Sequence, residues 1–562
     1  MRNWKKASLG AATLGAAVLL LAACSSGGGD KSSAKEGTKS ARAVHTYVTA
    51  PIQTLDSSIL TDTYSGEVVG NVNSGLTRID KDGKPQPELA EKIDVSEDGL
   101  TYTFTLRDGL KWSNGDAITA NDFVFAWQRV VDPATASEYG YIMAPVKNAS
   151  EINSGDNKDV KSLGVEAKDD KTLVVTLANP TPYFKALCAM TTYFPIDQKA
   201  VEKYGKQYGT SSDKTVYSGP YKFVSGKNDW NGSNNDISIY KNDDYWDADS
   251  VVNNEVQIQV IQEVNTAFNL YKQGKLDLAS ISEPTLYKTN KNDKNATRIP
   301  EATTAYLEFN QSGKGATSAD AQKALANLKI RQALIMATNR EGYVEQLVPS
   351  YTPATGFTPA GMSKAPSGED FAKYAAQDYT YDADKAKELW NDGLKEAGLT
   401  SLQLEFLTDD SQAAKDAATF MKTSWEKDLP GLTVNLKIVP FKQRLNDSTN
   451  GNFDIVNTLW GGDYADPTTF LDLMTTTSQQ NNGKFSDAAY DKAMEAAHTT
   501  DVQDPEKLYA DYKDAEAALF KNAEIDPIYF RSMVYLVNPN QKGVIYNATG
   551  VDRDFKYAYI AK

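Results

Sequence analysis

The chain has 562 residues, more than one hydrophobic core can fill, so two or three lobes are expected. Its 74 acidic residues against 59 basic ones leave a net charge of −15, which argues against nucleic acid as a partner because that requires a basic footprint. Two cysteines and two histidines leave little material for disulfides, metal ligation or nucleophilic catalysis.

The chain opens with Arg2, Lys5 and Lys6, followed by an apolar run over Ala7–Leu21 and then Leu21-Ala22-Ala23-Cys24. This is a basic n-region, a short h-region and a small-residue cleavage site. The run falls short of the roughly 20 residues that a spanning helix needs. Cysteine directly after Leu-Ala-Ala resembles the lipobox of bacterial lipoproteins, which implies a leader over 1–23 and acylation of Cys24. Loss of the three basic leader residues would take the net charge to −18. Residues 24–43 are built chiefly of Gly, Ser and charged side chains and are expected to act as a flexible tether. Such a tether on a lipid anchor favours the outer face of a Gram-positive membrane over a periplasm.

Beyond the tether, strand and helix signals alternate without a repeat, which predicts a mixed α/β to α+β body. Tyr102–Leu106 has strict period two, and Leu173–Leu177 and Val434–Ile438 also read as strands. Thr119-Ala-Asn-Asp122 opens a helix through Phe123, Val124, Trp127, Val130 and Val131, stopped by Asp132-Pro133. Trp112-Ser-Asn-Gly115 is a turn signal, and Cys188 reads as a small buried hydrophobe. Tyr221 and Phe223 fit either core or cleft lining. Asp382 caps a helix that Gly398 ends, and Asp504-Pro505 starts another. Phe453–Leu459 reads as a buried strand running into Trp460-Gly461-Gly462-Asp463, where two glycines permit close approach of another backbone.

Catalytic signatures are missing. His45 and His498 belong to no HExxH, and the sequence has no CxxC, no GxSxG elbow, no Walker loop and no GxGxxG at a strand–helix junction. No spacing singles out a carboxylate pair. An exported acidic body without such groups reads as a receptor for a diffusible ligand, neither an enzyme nor a cofactor carrier.

The segment Leu110–Ser137, with its Phe-Ala-Trp-Gln-Arg core at 125–129, resembles the signature of oligopeptide-binding proteins of ABC importers, the peptide/nickel branch of extracellular solute-binding proteins. The likeness recurs in order at Gly219–Phe223, Tyr245-Trp246, Asn269–Asp277, Ile330–Leu334 and Trp460–Leu471. It spans nearly everything from Thr46 to Tyr559. The resemblance implies a type II periplasmic-binding-protein-like fold, monomeric, with ligand between two main lobes and an accessory third. Lobe I would combine 44–74, 199–293 and 531–562; lobe II would be 75–198 and lobe III 294–530, with a hinge near 293 and 531.

In that family a bound peptide lies extended between two strand segments while an aspartate holds its ammonium group. By position that aspartate is Asp463, with Trp460, Gly461 and Gly462 on one side and Thr61, Asp62 and Thr63 supplying the opposite strand. Tyr139 and Asn269 match cleft-lining positions, and Trp460 and Phe441 would flank a side-chain pocket. Departures are equally specific: Asn457 and Ala414 stand where some relatives carry groups for the peptide carboxylate, and Arg531 stands where an aromatic is usual. The partners implied are an oligopeptide, the permease subunits and, through Cys24, the membrane. Alternatives on the same fold are a signalling-peptide receptor and a dipeptide or nickel carrier; two poorly placed histidines count against nickel.

Overall fold

A computed structural model describes residues 40–562. The leader, Cys24 and nearly all of the expected tether lie outside the described residues.

Three sheets organise the body. The first is four-stranded, in the order Val44–Val48, Glu255–Val260, Asp236–Lys241 and Tyr221–Lys222, with the first pair parallel and the others antiparallel. Tyr221 and Phe223 are buried in its core beside Trp230 and Tyr245, so both are core residues.

The second sheet is antiparallel, in the order Ala90–Val95, Thr101–Leu106, Thr172–Thr176 and Val165–Ala167. In Thr101–Leu106 burial alternates residue by residue, as period two requires. The helix Ala120–Val131 belongs to the same core and begins at Thr119, whose backbone N–H donates to Asp122 Oδ2 at 2.7 Å. Trp127 is fully buried and donates from Nε1 to the Tyr193 carbonyl at 2.9 Å. Trp112 is likewise buried, and Gly115 takes a φ of 91° at its turn, a structural corner. Cys188 is a free thiol inside this core.

The third sheet has seven strands, in the order Leu278–Ser280, Ile525–Val537, Ala296–Phe309, Ile455–Gly461, Leu402–Asp409 and Leu432–Val439, with Thr352–Pro353 added against Ile525–Val537. Two of its helices start where the sequence predicts, and one of them also stops there. Asp382 accepts from Lys385 N–H ahead of Ala383–Ala397, and Gly398 ends that helix at a φ of 71°. Asp504 accepts from Lys507 N–H ahead of Pro505–Lys521.

Two long antiparallel strands, Ala296–Phe309 and Ile525–Val537, run through the middle of this sheet. Their register slips between the pairs Pro300↔Ser532 and Thr304↔Phe530, so Glu301–Thr303 bulge opposite Arg531. The C-terminal tail is tied to the segment around residues 74–88 by buried charges. Arg78 Nη1 lies 2.6 Å from Asp554 Oδ2, and Lys556 Nζ lies 3.3 Å from Glu88 Oε2. Burial opposes the Glu88 charge, but Lys556 and Arg78 outweigh it and hold the carboxyl at about 2.

Candidate ligand-binding cleft

A cavity of about 600 Å3 opens where the C-terminal end of Ile455–Gly461, the register slip, the N-terminus of the helix Thr63–Val72 and a C-terminal hairpin converge. This lies within the span of roughly 300–1,000 Å3 typical of small-ligand sites.

The strand Ile455–Gly461 pairs along its whole length with Thr303–Phe309 on one side. On its other side only Ile455 and Val456 pair with Leu402–Asp409. Among the described residues, Asn457–Gly461 therefore present a strand edge without a partner. Such an edge carries main-chain N–H and C=O groups that an extended chain can complete.

Asp463 stands just past the end of that edge. The Gly462 N–H donates to the Ala302 carbonyl at 2.6 Å and the Asp463 N–H donates to Thr469 Oγ1 at 3.1 Å, which fixes the backbone there. The Asp463 carboxylate lines the cavity. Burial pushes it up to about 6, only partly offset by a hydrogen bond from the Tyr141 hydroxyl. A carboxylate kept out of water without a cationic partner is poised for an incoming cation.

The cavity brings together Thr61, Asp62, Thr63, Tyr139, Gly461, Gly462 and Asp463. Thr61–Thr63 depart from the expected strand. Asp62 is extended at φ −110° and ψ 147°, but it is the N-cap of Thr63–Val72, its Oδ1 accepting the Ser65 N–H at 2.8 Å. Only one or two residues of extended backbone remain there for a ligand. The capping preference of an Asp-x-x-Ser run was the signal to read.

The two glycines play different parts. A Cβ at Gly461 would meet nothing nearer than 3.6 Å, whereas one at Gly462 would sit 3.0 Å from Phe470 Cε2 and Thr469 Cγ2. Gly462 is thus tightly packed against the Thr468–Leu471 helix, and Gly461 leaves room for a Cβ. Gly462→Val should cost about 1–3 kcal/mol by overpacking, while Gly461→Ala should fold with near-native stability. Thermal unfolding of the two variants side by side measures the difference.

Three expected site residues lie elsewhere. Asn269 sits exposed on the helix Val264–Lys272 and does not line the cavity, although Val264 does. Five residues on, at about 100° per residue, the helix has turned it to another side. Phe441 begins the helix Phe441–Asn450 at 55% exposure, with the Arg444 guanidinium 5.1 Å from its ring. Trp460 packs against the cluster containing Ala302, Phe357 and Phe470, on the opposite face of its strand from Gly461.

Other contributors went unread in the sequence. Tyr141 reaches Asp463, and its ring stacks on Tyr139 at a centroid distance of 5.7 Å. One residue past Asp463, Tyr464 stacks on Tyr183 at 4.0 Å and 11°, and Lys364 Nζ lies 2.8 Å from Asp82 Oδ1. Both contacts join the seven-stranded-sheet region to the segment around residues 75–198. No group of three or more His, Cys, Asp and Glu among the described residues is arranged to hold a metal ion. His498 Nε2 is 2.7 Å from Asp472 Oδ1, and neither histidine lines the cleft.

A sheet-based body with an open strand edge and an acidic cleft defines a protein that sequesters a ligand between its parts. The profile of bacterial extracellular solute-binding proteins, family 5 middle, matches residues 84–482, and the chain belongs to that family. It is a solute-binding protein and not an enzyme. A dipeptide-binding protein of Lactococcus lactis subsp. cremoris is 53% identical over 525 residues, covering 93% of this chain and 95% of that protein. The oligopeptide-binding protein OppA of Bacillus subtilis is 33% identical over 541 residues, covering 93% and 94%.

Among solved structures, peptide-bound OppA of Listeria monocytogenes is 36% identical with a TM-score of 0.67, covering 93% of this chain and 99% of that one. The unliganded open form of the murein tripeptide-binding protein MppA is only 29% identical, yet its TM-score is 0.79 over 93% and 99%. The present arrangement is therefore nearer to that open form than to that peptide-bound one. No helix among the described residues is long and apolar enough to cross a membrane.

Proposed function

We propose that this protein captures extracellular oligopeptides and hands them to the permease of an ABC importer, held at the membrane by a lipid on Cys24. The observation that carries this reading is the unpaired strand edge Asn457–Gly461 ending at Asp463. Every peptide offers the same main-chain groups to such an edge, and every free peptide offers an ammonium group to the carboxylate. The names of the Lactococcus, Bacillus and Listeria proteins are in keeping with it. Within this reading a short peptide is favoured by the modest cavity and by the dipeptide-binding name of the 53% identical relative.

Three lobes follow from the same reading: 44–74 with 199–293 and 531–562, then 75–198, then 294–530. The strand Ile525–Val537 crosses from the last of these into the first, and its register slip against Ala296–Phe309 at Arg531 is a natural place for bending. Ligand binding would close the cleft from the open-like arrangement.

Release of bound material from the purified protein by denaturation, followed by mass spectrometry, tests the ligand class. Recovered peptides support the reading, and a recovered sugar or metal chelate contradicts it. Anchoring is tested by Cys24→Ala in cells: the variant should appear in the medium or soluble fraction, while the parent chain stays with the membrane and takes up labelled fatty acid.

A further inference from the structure

Charges around the cavity do not balance. Five carboxylates line it, on Asp62, Glu67, Glu301, Asp463 and Asp552, against two guanidiniums, on Arg531 and Arg553. Both guanidiniums are already engaged. Arg553 is buried and makes two hydrogen bonds to Glu67, at 2.7 and 2.9 Å, and Arg531 Nε stands 3.0 Å from Glu301 Oε2. Two of the remaining three carboxylates have donors: Asp62 caps a helix and Asp463 receives the Tyr141 hydroxyl. Asp552 has neither a hydrogen-bond donor to its carboxylate nor an ion pair among the described residues, and it lines the cavity.

Asp552 is also rigidly presented. It precedes Arg553 in a hairpin formed by Ile545–Tyr546 and Arg553–Asp554, whose loop is pinned by Asn547. The Asn547 N–H donates to the Asp552 carbonyl at 3.0 Å and its Nδ2 to the Val551 carbonyl at 2.7 Å. In the same cavity lining, the Tyr546 hydroxyl is a polar atom that water does not reach and that no hydrogen-bond partner satisfies. In a cavity wall such atoms mark hydrogen-bonding capacity kept for something that enters.

Resting on the peptide-binding reading above, we propose that the cleft selects peptides bearing a lysine or arginine side chain, and that Asp552 is the residue that receives it. The ligand's amino end occupies Asp463, and the side-chain cation supplies the counter-charge that the Asp552 wall lacks. An acidic side chain there would meet Asp552, Glu301 and Glu67 with no uncommitted cation to receive it. Burial, with Glu67 and Glu301 nearby, pushes the Asp552 carboxyl up to about 7, against the pull of Arg553, so its empty state is costly to keep charged. A bound cation relieves that cost.

The test is calorimetric titration of the purified protein with an alanine tetrapeptide scanned at each position with lysine or with uncharged norleucine of matching length. At one position, at pH 8, lysine should bind about tenfold tighter than norleucine. That ratio should shrink at pH 6, where Asp552 is mostly protonated. Asp552→Asn should bring the ratio to within about twofold, and Asp552→Glu should retain most of it. Equal affinities for the lysine and norleucine peptides at every position overturn the proposal, as does a ratio that survives Asp552→Asn. N-acetylated copies of the same peptides separate the two claims: binding indifferent to acetylation removes Asp463 from its role, while the lysine-to-norleucine ratio still judges Asp552.

Discussion

Asp463→Asn will weaken the binding of free peptides by about 2–3 kcal/mol, roughly 30- to 150-fold in Kd. The asparagine keeps the shape and one acceptor but removes the charge that an ammonium group needs. N-acetylated peptides, lacking that ammonium, should bind poorly to both forms. The parent protein should also show an acid limb. Asp463 is pushed up to about 6 by burial, so below that pH the free protein carries a neutral carboxyl and attraction to the ammonium is lost. Above roughly pH 7.7–8.0 the peptide's own amino group loses its proton. Affinity should therefore peak between those limits, and Asp463→Asn should abolish the acid limb contributed by that group. Titration calorimetry at pH 5, 7 and 9 reads both effects; an unaltered acid limb in the variant would remove Asp463 from its assigned place.

Arg553→Met should be the most damaging of the stability variants. Its guanidinium makes two hydrogen bonds to the buried Glu67 carboxylate and also donates to Thr46 Oγ1 and the Tyr47 carbonyl, each at 2.7 Å. One side chain thus ties the first strand, the helix behind the cleft and the C-terminal hairpin together. Methionine fills similar volume but leaves Glu67 buried without its cation, at a cost of about 3–5 kcal/mol. Removing both charges in Glu67→Leu/Arg553→Met should recover much of that loss, because the largest cost is the stranded carboxylate. Chemical denaturation of the single and double variants measures it. Equal loss in both would show that hydrogen bonds to Thr46 and Tyr47 dominate.

Local chemistry made much of the fold legible. The helix Ala383–Ala397 was bounded at both ends by Asp382 and Gly398 because capping depends on residues within a few positions of the terminus. Alternation in Thr101–Leu106 named the buried face of a strand directly. Matching motifs to the family pointed to the corner Gly461–Asp463, which lines the cavity, while Trp460 beside it faces the core.

Elsewhere the signal was non-local or ambiguous. The family resemblance implies a strand at Thr61–Thr63; Asp62 is extended as an N-cap is, and the helix that follows decides the matter. Asn269 and Phe441 were carried over by position, which fixes the element but not its rotation about its own axis; the structure turns both to solvent. Tyr141 and Asp552 escaped notice for another reason. Their meaning comes from neighbours hundreds of residues away, Asp463 for the one and Glu67 and Glu301 for the other, and no spacing in the chain encodes that. The imbalance of charge around the cavity is likewise a property of the assembled walls.

The most direct measurement is a crystal structure of the protein holding the ligand it retains from the cell. The account predicts a polypeptide lying along Asn457–Gly461, with its terminal nitrogen within hydrogen-bond distance of the Asp463 carboxylate. A non-peptide ligand in the cleft, or a peptide whose amino end lies away from Asp463, would contradict it.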